Sequence, residues 1–241
     1  MMTQQSRNRF VALDAARGGA IIAMIAYHII FDLNYFGIFA FDPQFKYLAY
    51  PIAGTFIFIA GISLHLKAES IGTQSDRRLY IRTFLSRGLK ILLIAALITL
   101  VTWFYPHDGF IVFGILHLIG TATLLAIPFL PFGKWNVIPA SLVLLIGFFF
   151  FPIIGPAYLI PIGVYPPGFT SLDYEPLIPW FSLILFGIAA GSIGFSGKKI
   201  QNKSNPLFRI LAIPGRNSLI IYLIHQPVII GTLVLIGLVT I

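Results

Sequence analysis

The chain has 241 residues, of which 58% are hydrophobic and only 10% charged. A soluble chain carries about 25% charged residues, so a soluble globular domain, a disordered chain and a water-exposed repeat array are excluded. Sixteen basic against eight acidic residues give a net charge of +8, and the absence of Cys excludes disulfides, iron–sulfur clusters and thiol nucleophiles.

The class that remains is an all-α polytopic membrane bundle. At about 20 apolar residues per span, the chain has room for seven or eight helices. Residues 1–9 read as a polar cytoplasmic arm, and 10–241 as a single transmembrane domain. The first run, Phe10–Phe31, carries Asp14 and Arg17 and lacks a small-residue cleavage site, so it reads as a retained span, not a secretory signal. The second is Tyr47–Leu66, followed by a basic stretch from Lys67 to Arg87. The third is Gly88–Tyr105, and a PHDG turn leads to the fourth, Phe110–Phe132. The FGKWN connector opens a fifth near Val137–Pro152. A Pro-rich segment then precedes the sixth, near Leu177–Phe195. The basic segment SGKKIQNKSNPLFR leads through IPGRNS to the last run, Leu219–Ile241, for about seven spans. No internal repeat stands out, so an inverted-repeat transporter gains no support.

Lys and Arg collect on the cytoplasmic side of a membrane. An N-terminus inside puts Arg7, Arg9, the 67–90 cluster, Lys134 and the 198–216 cluster in the cytoplasm and leaves only Lys46 in an outer loop. The expected orientation is N-in and C-out. Topology and contact with anionic lipid heads account for most of the basic excess, with no call for a nucleic acid. A remainder could hold a soluble anion such as a nucleotide or coenzyme.

Ionisable groups inside spans are costly and point to function. The first span carries Asp14 and Arg17 as an i,i+3 pair and His28 and Asp32 as an i,i+4 pair. Arg17 and His28 are almost three whole turns apart, so they share a face about 16 Å apart along the axis. The inner pair fits either a snorkelling anchor or an anion site. The outer pair fits either a structural hydrogen bond or a general base, in which the carboxylate orients the imidazole. Gly18, Gly19 and Gly61 read as packing notches where another backbone can approach.

His117, in FGILHLIG, and His225, in IYLIHQP, add two imidazoles within spans, and Pro227 should break or kink the last helix. No spacing matches a zinc motif, so no metal is expected. Seven of the sixteen prolines lie between Pro152 and Pro179, which predicts a stiff, extended outer loop. There Asp173, Tyr174, Glu175 and Trp180 fit either an interfacial aromatic belt or a hold on a sugar or other polar acceptor. In IPGRNS, Asn217 or Ser218 is a good N-cap after a tight turn at Gly215. With Arg216 this makes a helix N-terminus suited to a phosphate, although capping alone explains the residue types.

LDAARGGAIIAMIAYHIIFDL, FIFIAGISL, FGILHLIG, DYEPLIPWFSLILFGIAAG and PGRNSLIIYLIHQPV occur in that order. Together they resemble the transmembrane acyltransferases, most nearly the prokaryotic relatives of the heparan-alpha-glucosaminide N-acetyltransferase catalytic domain. The resemblance covers most of the chain, from Arg9 to Gly231. It implies an integral protein of a prokaryotic plasma membrane, reached from both sides. Acetyl-CoA would bind from the cytoplasm, and the acetyl group would pass to an amine or hydroxyl acceptor outside, a carbohydrate above all. In the eukaryotic enzyme the catalytic histidine lies in the outer loop after the domain's first helix. Here that loop, NYFGIFAFDPQFKY, has none, and His28 is the nearest candidate. The eukaryotic protein's large luminal domain has no counterpart.

On this reading Asp14, Arg17, Arg216, Asn217, Ser218 and the basic 67–90 loop hold the coenzyme. His28, oriented by Asp32, is the base, with His117 assisting. Asp173, Tyr174, Glu175, Trp180 and His225 hold the acceptor. Small-residue faces permit a homodimer. The alternative is a small transporter or lipid-handling protein whose His and Asp groups form a proton or substrate path.

Overall fold

The computed structural model describes residues 11–72, 77–196 and 205–239. The polar arm at 1–9 and Lys198, Lys199 and Lys203 therefore lie outside the described residues. Among the described residues eight α-helices follow one another: α1 (Val11–Tyr35), α2 (Ala49–Ile71), α3 (Arg77–Phe104), α4 (Ile115–Leu125), α5 (Val137–Phe150), α6 (Leu177–Gly194), α7 (Pro206–Arg216) and α8 (Ser218–Leu235). Strand among the described residues is confined to the two-residue pair β1 (Ile153–Ile154) and β2 (Val164–Tyr165).

The all-α polytopic bundle expected from composition is what the chain forms. Among the described residues six helical segments are long and apolar enough to cross a membrane: 11–35, 43–71, 77–104, 130–150, 177–194 and 218–235. Their outward faces carry Leu97, Val101, Phe104, Phe148, Phe149 and Leu235, all exposed. In water such a continuous apolar surface would aggregate; against lipid it is the required solvent face. The fourth apolar run differs from its expected extent. Its α-helix covers only Ile115–Leu125, because the chain turns at Ala126 and enters a 3-10 stretch, Leu130–Asn136. Gly133 interrupts that stretch with a φ of 50°, and the buried Asn136 amide ties it down by donating to the carbonyls of Phe129 and Gly133.

The contacts divide the chain into two compact units, residues 1–56 with 198–241 and residues 57–197. In the first, α7 lies along α1 through reciprocal glycine contacts. A Cβ on Gly18 would overlap the Leu211 carbonyl, and one on Gly215 would overlap the Asp14 carbonyl. The expected notch at Gly18 is thus real, whereas Gly19 faces no neighbour within 4 Å. Gly215 is not in a tight turn: it is helical, and its lack of a side chain serves packing. α7 itself opens on Asn205, whose side chain accepts the Leu207 N–H, with Pro206 at the first helical position. Ile229, Leu233 and Val239 pack with Ile25, Leu33 and Phe36 to bind α8 to α1. α8 continues through Pro227 without a break.

In the second unit the Ile57–Ile71 part of α2 meets α6 at Gly61 and Gly187, where added Cβ atoms would overlap the carbonyls of Ile184 and Phe58. This is the close backbone approach expected of Gly61. α3 pairs with α4 at Gly88 and Gly120, and α5 with α6 at Gly147. The Pro-rich segment is not extended. It folds through β1, a 3-10 helix at Ala157–Ile162 and β2, with Ile153 opposite Val164 and Ile154 opposite Tyr165 in parallel register. Gly163, at φ 120°, ends that 3-10 helix with a backbone that a side chain would strain.

Candidate active site

Within the first unit, α1 and α8 bring His28 and His225 into ring contact, with centroids 4.7 Å apart and planes crossed at 73°. Each ring is held the same way. His28 Nδ1 lies 2.9 Å from the Met24 carbonyl, and His225 Nδ1 lies 2.6 Å from the Tyr222 carbonyl. A carbonyl only accepts, so the hydrogen-bond pattern assigns the N–H to Nδ1 in both rings and leaves Nε2 with the lone pair. His225 Nε2 is buried with no hydrogen-bond partner among the described residues. Tyr27 packs edge-on against His28 and stacks on Phe45, which holds the C-terminal half of α1 in place.

Asp32 does not orient His28. Its Oδ1 accepts a 3.3 Å hydrogen bond from the Gln226 amide, while His28 Nδ1 is committed to its own helix backbone. The backbone carbonyl four residues earlier lies within reach of the imidazole, and Asp32 projects instead to α8. Gln226 was missed by sequence reasoning, although it adjoins His225 and is one of few polar side chains in that span. Asp32 Oδ2 and Gln226 Oε1 are also buried and unpartnered among the described residues. The cluster therefore presents two imidazole lone pairs, a carboxylate oxygen and an amide oxygen, all acceptors. Such a site fits a ligand rich in N–H or O–H groups.

Three to four turns away on α1, Asp14 Oδ1 accepts from Arg17 at 3.0 Å, and its Oδ2 lies 3.6 Å from Arg216 Nε. One carboxylate thus faces two guanidinium groups, leaving the cluster with a net positive charge. Asn217 occupies the N-cap position of α8, but its side chain makes no cap hydrogen bond there. It turns back and donates to the Ile213 carbonyl of α7 at 3.3 Å. Ser218 begins α8. Of the expected coenzyme residues, Asp14, Arg17 and Arg216 are therefore neighbours and Asn217 serves the end of α7, whereas the basic 67–90 stretch belongs to the second unit, with residues 77–90 helical in α3.

His117 lies in the second unit, where both its ring nitrogens are occupied. Nδ1 accepts the Gly114 N–H at 3.3 Å, and Nε2 lies 3.2 Å from Thr99 Oγ1, whose hydroxyl donates to the Ile111 carbonyl at 2.7 Å. A side chain at the third helical position receiving the N-cap backbone N–H is half of a capping box, and the Thr99 contact fastens α4 to α3.

Asp173 Oδ2 accepts the Ile115 N–H at 3.0 Å, capping the same helix. The Tyr174 hydroxyl donates to the Ile160 carbonyl at 2.8 Å, and the Glu175 N–H donates to the Phe113 carbonyl at 3.0 Å. Trp180 stands in the first turn of α6. Asp173 and Tyr174 thus stitch the Pro-rich loop together. Glu175 is different: it is 7% exposed, and Oε2 has no partner among the described residues. Burial first, then the charge of Asp173, push its carboxyl up to about 9, so it is protonated at neutral pH. Burial, with Tyr165 second, pushes the Tyr174 phenol up to about 12. His65, also missed, places Nε2 2.9 Å from Ser196 Oγ. No group of three or more metal-ligating side chains occurs among the described residues.

The family model described as heparan-alpha-glucosaminide N-acetyltransferase, catalytic, matches residues 9–227. The match takes in the Asp14–Arg17–Arg216 group and all four members of the His28–His225–Asp32–Gln226 cluster. No curated protein and no solved structure matches the chain.

Proposed function

The chain belongs to the heparan-alpha-glucosaminide N-acetyltransferase catalytic family, and on that premise we propose that it moves an acetyl group from cytoplasmic acetyl-CoA to an amine or hydroxyl, most simply of a sugar, outside. As a member of that family with six helices of spanning length, it is an integral membrane transferase. We assign it the plasma membrane of a prokaryote, N-terminus inside. The supporting observation is the His28–His225 pair, two imidazoles locked in one tautomer with Nε2 available in a cluster of open acceptors.

The coenzyme phosphates would meet Arg17 and Arg216, kept apart from Asp14 by no more than an ion-pair distance, with Asn217 and Ser218 alongside. The roughly 16 Å of α1 between Arg17 and His28 then carries the pantetheine arm towards the imidazoles. His28 Nε2 takes the proton of the acceptor N–H or O–H as the acceptor atom attacks the thioester carbonyl carbon. The new bond to carbon forms, the C–S bond breaks, and the leaving thiolate takes the proton back from the imidazolium. The products are acetylated acceptor and coenzyme thiol. His225 offers the second lone pair to the acceptor, and the Asp32–Gln226 couple keeps α1 and α8 in register. His117, Asp173 and Tyr174 carry no step.

The test uses purified protein in vesicles, acetyl-CoA labelled in the acetyl group, and glucosamine as acceptor. His28→Ala should still be stabilised against heat by acetyl-CoA yet lose transfer, and Arg17→Gln with Arg216→Gln should lose the stabilisation. Full transfer by a folded His28→Ala protein would sink the assignment. Uptake of sugar that needs no coenzyme would favour the transporter instead.

A further inference from the structure

The first turns of α3 are rich in cations. The helix begins RRLYIRTFLSRGLK, and its i,i+4 row Arg78–Arg82–Ser86–Lys90 runs about 18 Å along the axis at 1.5 Å per residue. Beside it runs a second row, Leu85–Leu89–Leu93, which is 43, 52 and 66% exposed, and Leu97 and Leu100 prolong the apolar face. The opposite face of the same helix, Phe84, Gly88 and Ala95, is buried. The polar and leucine rows are therefore the lipid-facing side of a spanning helix.

Two adjoining shallow grooves follow these rows. One, about 560 Å³, is lined by Arg77, Arg78, Ile81, Arg82 and Leu85. The other, about 350 Å³, is lined by Arg82, Leu85, Ser86, Leu89, Lys90 and Leu93. They share Arg82 and Leu85. Each groove pairs cations with alkyl side chains, so its ligand joins an anion to hydrocarbon. A soluble coenzyme phosphate satisfies the cations and leaves the leucines in contact with nothing of its own. A phospholipid satisfies both, with its phosphate on the cations and its chains on the leucines.

We propose that this face of α3 is a binding site for an anionic phospholipid carrying two phosphates on one headgroup, one phosphate in each groove with Arg82 between them. Arg77 and Arg82 take one phosphate. Arg82, the Ser86 hydroxyl and Lys90 take the other. A headgroup with a single phosphate fills only one of the two grooves. The site takes nothing from the acetyl-transfer cluster and lies wholly within the second unit.

The experiment titrates the full-length protein in detergent with diphosphatidylglycerol or phosphatidylglycerol and counts retained lipid by native mass spectrometry. Each cation near the surface contributes roughly a fivefold factor in affinity, so the two-phosphate lipid should bind about tenfold more tightly or better. Arg82→Gln with Lys90→Gln should abolish that preference. Arg82→Lys should keep most of it, and Lys46→Gln should leave it unchanged. All three positions are exposed, and the elution profile of each variant checks its fold. Equal retention of the two lipids, a preference that survives the double substitution, or release of the lipid by millimolar coenzyme A would each overturn the proposal. The last result would mark a nucleotide site instead.

Discussion

His28 and His225 in one unit and His117 in the other are all imidazoles on apolar helices, and they differ in what their nitrogens touch. The first two spend Nδ1 on a carbonyl of their own helix and keep Nε2 open. His117 spends both, receiving the Gly114 N–H and reaching Thr99. Burial alone does not separate a reactive histidine from a structural one. The state of the second nitrogen does, because a general base needs a lone pair that nothing else is using. The same test separates two neighbouring carboxylates. Asp173 caps α4, whereas Glu175 Oε2, two residues on, has no partner among the described residues.

The largest effect that could break this contrast is on the rate of acetyl transfer. Losing a positioned general base costs typically about 10²–10⁴-fold, so His28→Ala should fall by that order while its unfolding midpoint in detergent stays near the parent's. His117→Ala should do the reverse. It leaves the Gly114 N–H and the Thr99 hydroxyl oxygen without their partner, a loss of about 1–3 kcal/mol for a buried group. Its thermal midpoint should drop, and transfer per folded molecule should remain within a few-fold of the parent. If the His117 variant lost transfer without losing stability, the division of roles drawn from the nitrogen partners would be wrong.

Much of the fold was legible because scarcity made each signal sharp. With 10% charged residues, nearly every apolar run is a helix in the structure, and Gly18 and Gly61 stand where backbones meet. The stripe of Asp14, Arg17, His28 and Asp32 was visible because ionisable groups within a span are rare. Its partners were not. The sequence periodicity of α1 suggests that His28 and Asp32 bond each other, but i,i+4 spacing fixes only proximity. Whether an imidazole prefers a backbone carbonyl or a carboxylate depends on rotamers and on what the facing helix supplies. Gln226 is that supply, and it is 194 residues from Asp32 in the chain. α7 was hidden for a different reason: PLFRILAIPGR carries two prolines and two arginines, a composition that reads as a loop. Asn205 and Pro206 start it properly, and Gly215 lets it lie against α1. The Pro-rich loop was misjudged as extended because proline fixes φ without fixing the direction the chain takes, and the hydrogen bonds that fold it back join residues up to 61 apart.

The smallest effect concerns the two carboxylates and is read from pH. Glu175 has its folded-state pKa raised from 4.5 to about 9, so the folded protein holds a proton that the unfolded chain releases near 4.5. Stability from this group is complete below the unfolded value and is lost progressively as pH rises through the interval to about 9. The thermal midpoint of the parent in detergent should therefore decline between about pH 5 and pH 9. Glu175→Gln, which keeps the shape and cannot ionise, should flatten that decline and be the more stable protein at pH 9, with little difference at pH 5. Asp173→Asn should flatten the decline only in part, because burial is the larger cause of the Glu175 shift and the Asp173 charge the smaller. The Asp173 substitution weakens the acceptor that the α4 N-terminus uses and lowers the midpoint at every pH, since charge at that end of a helix is favourable. A decline of the same slope in the Glu175→Gln protein would show that the buried carboxyl is not what titrates, and the distinction between a capping carboxylate and a proton-holding one would lose its basis.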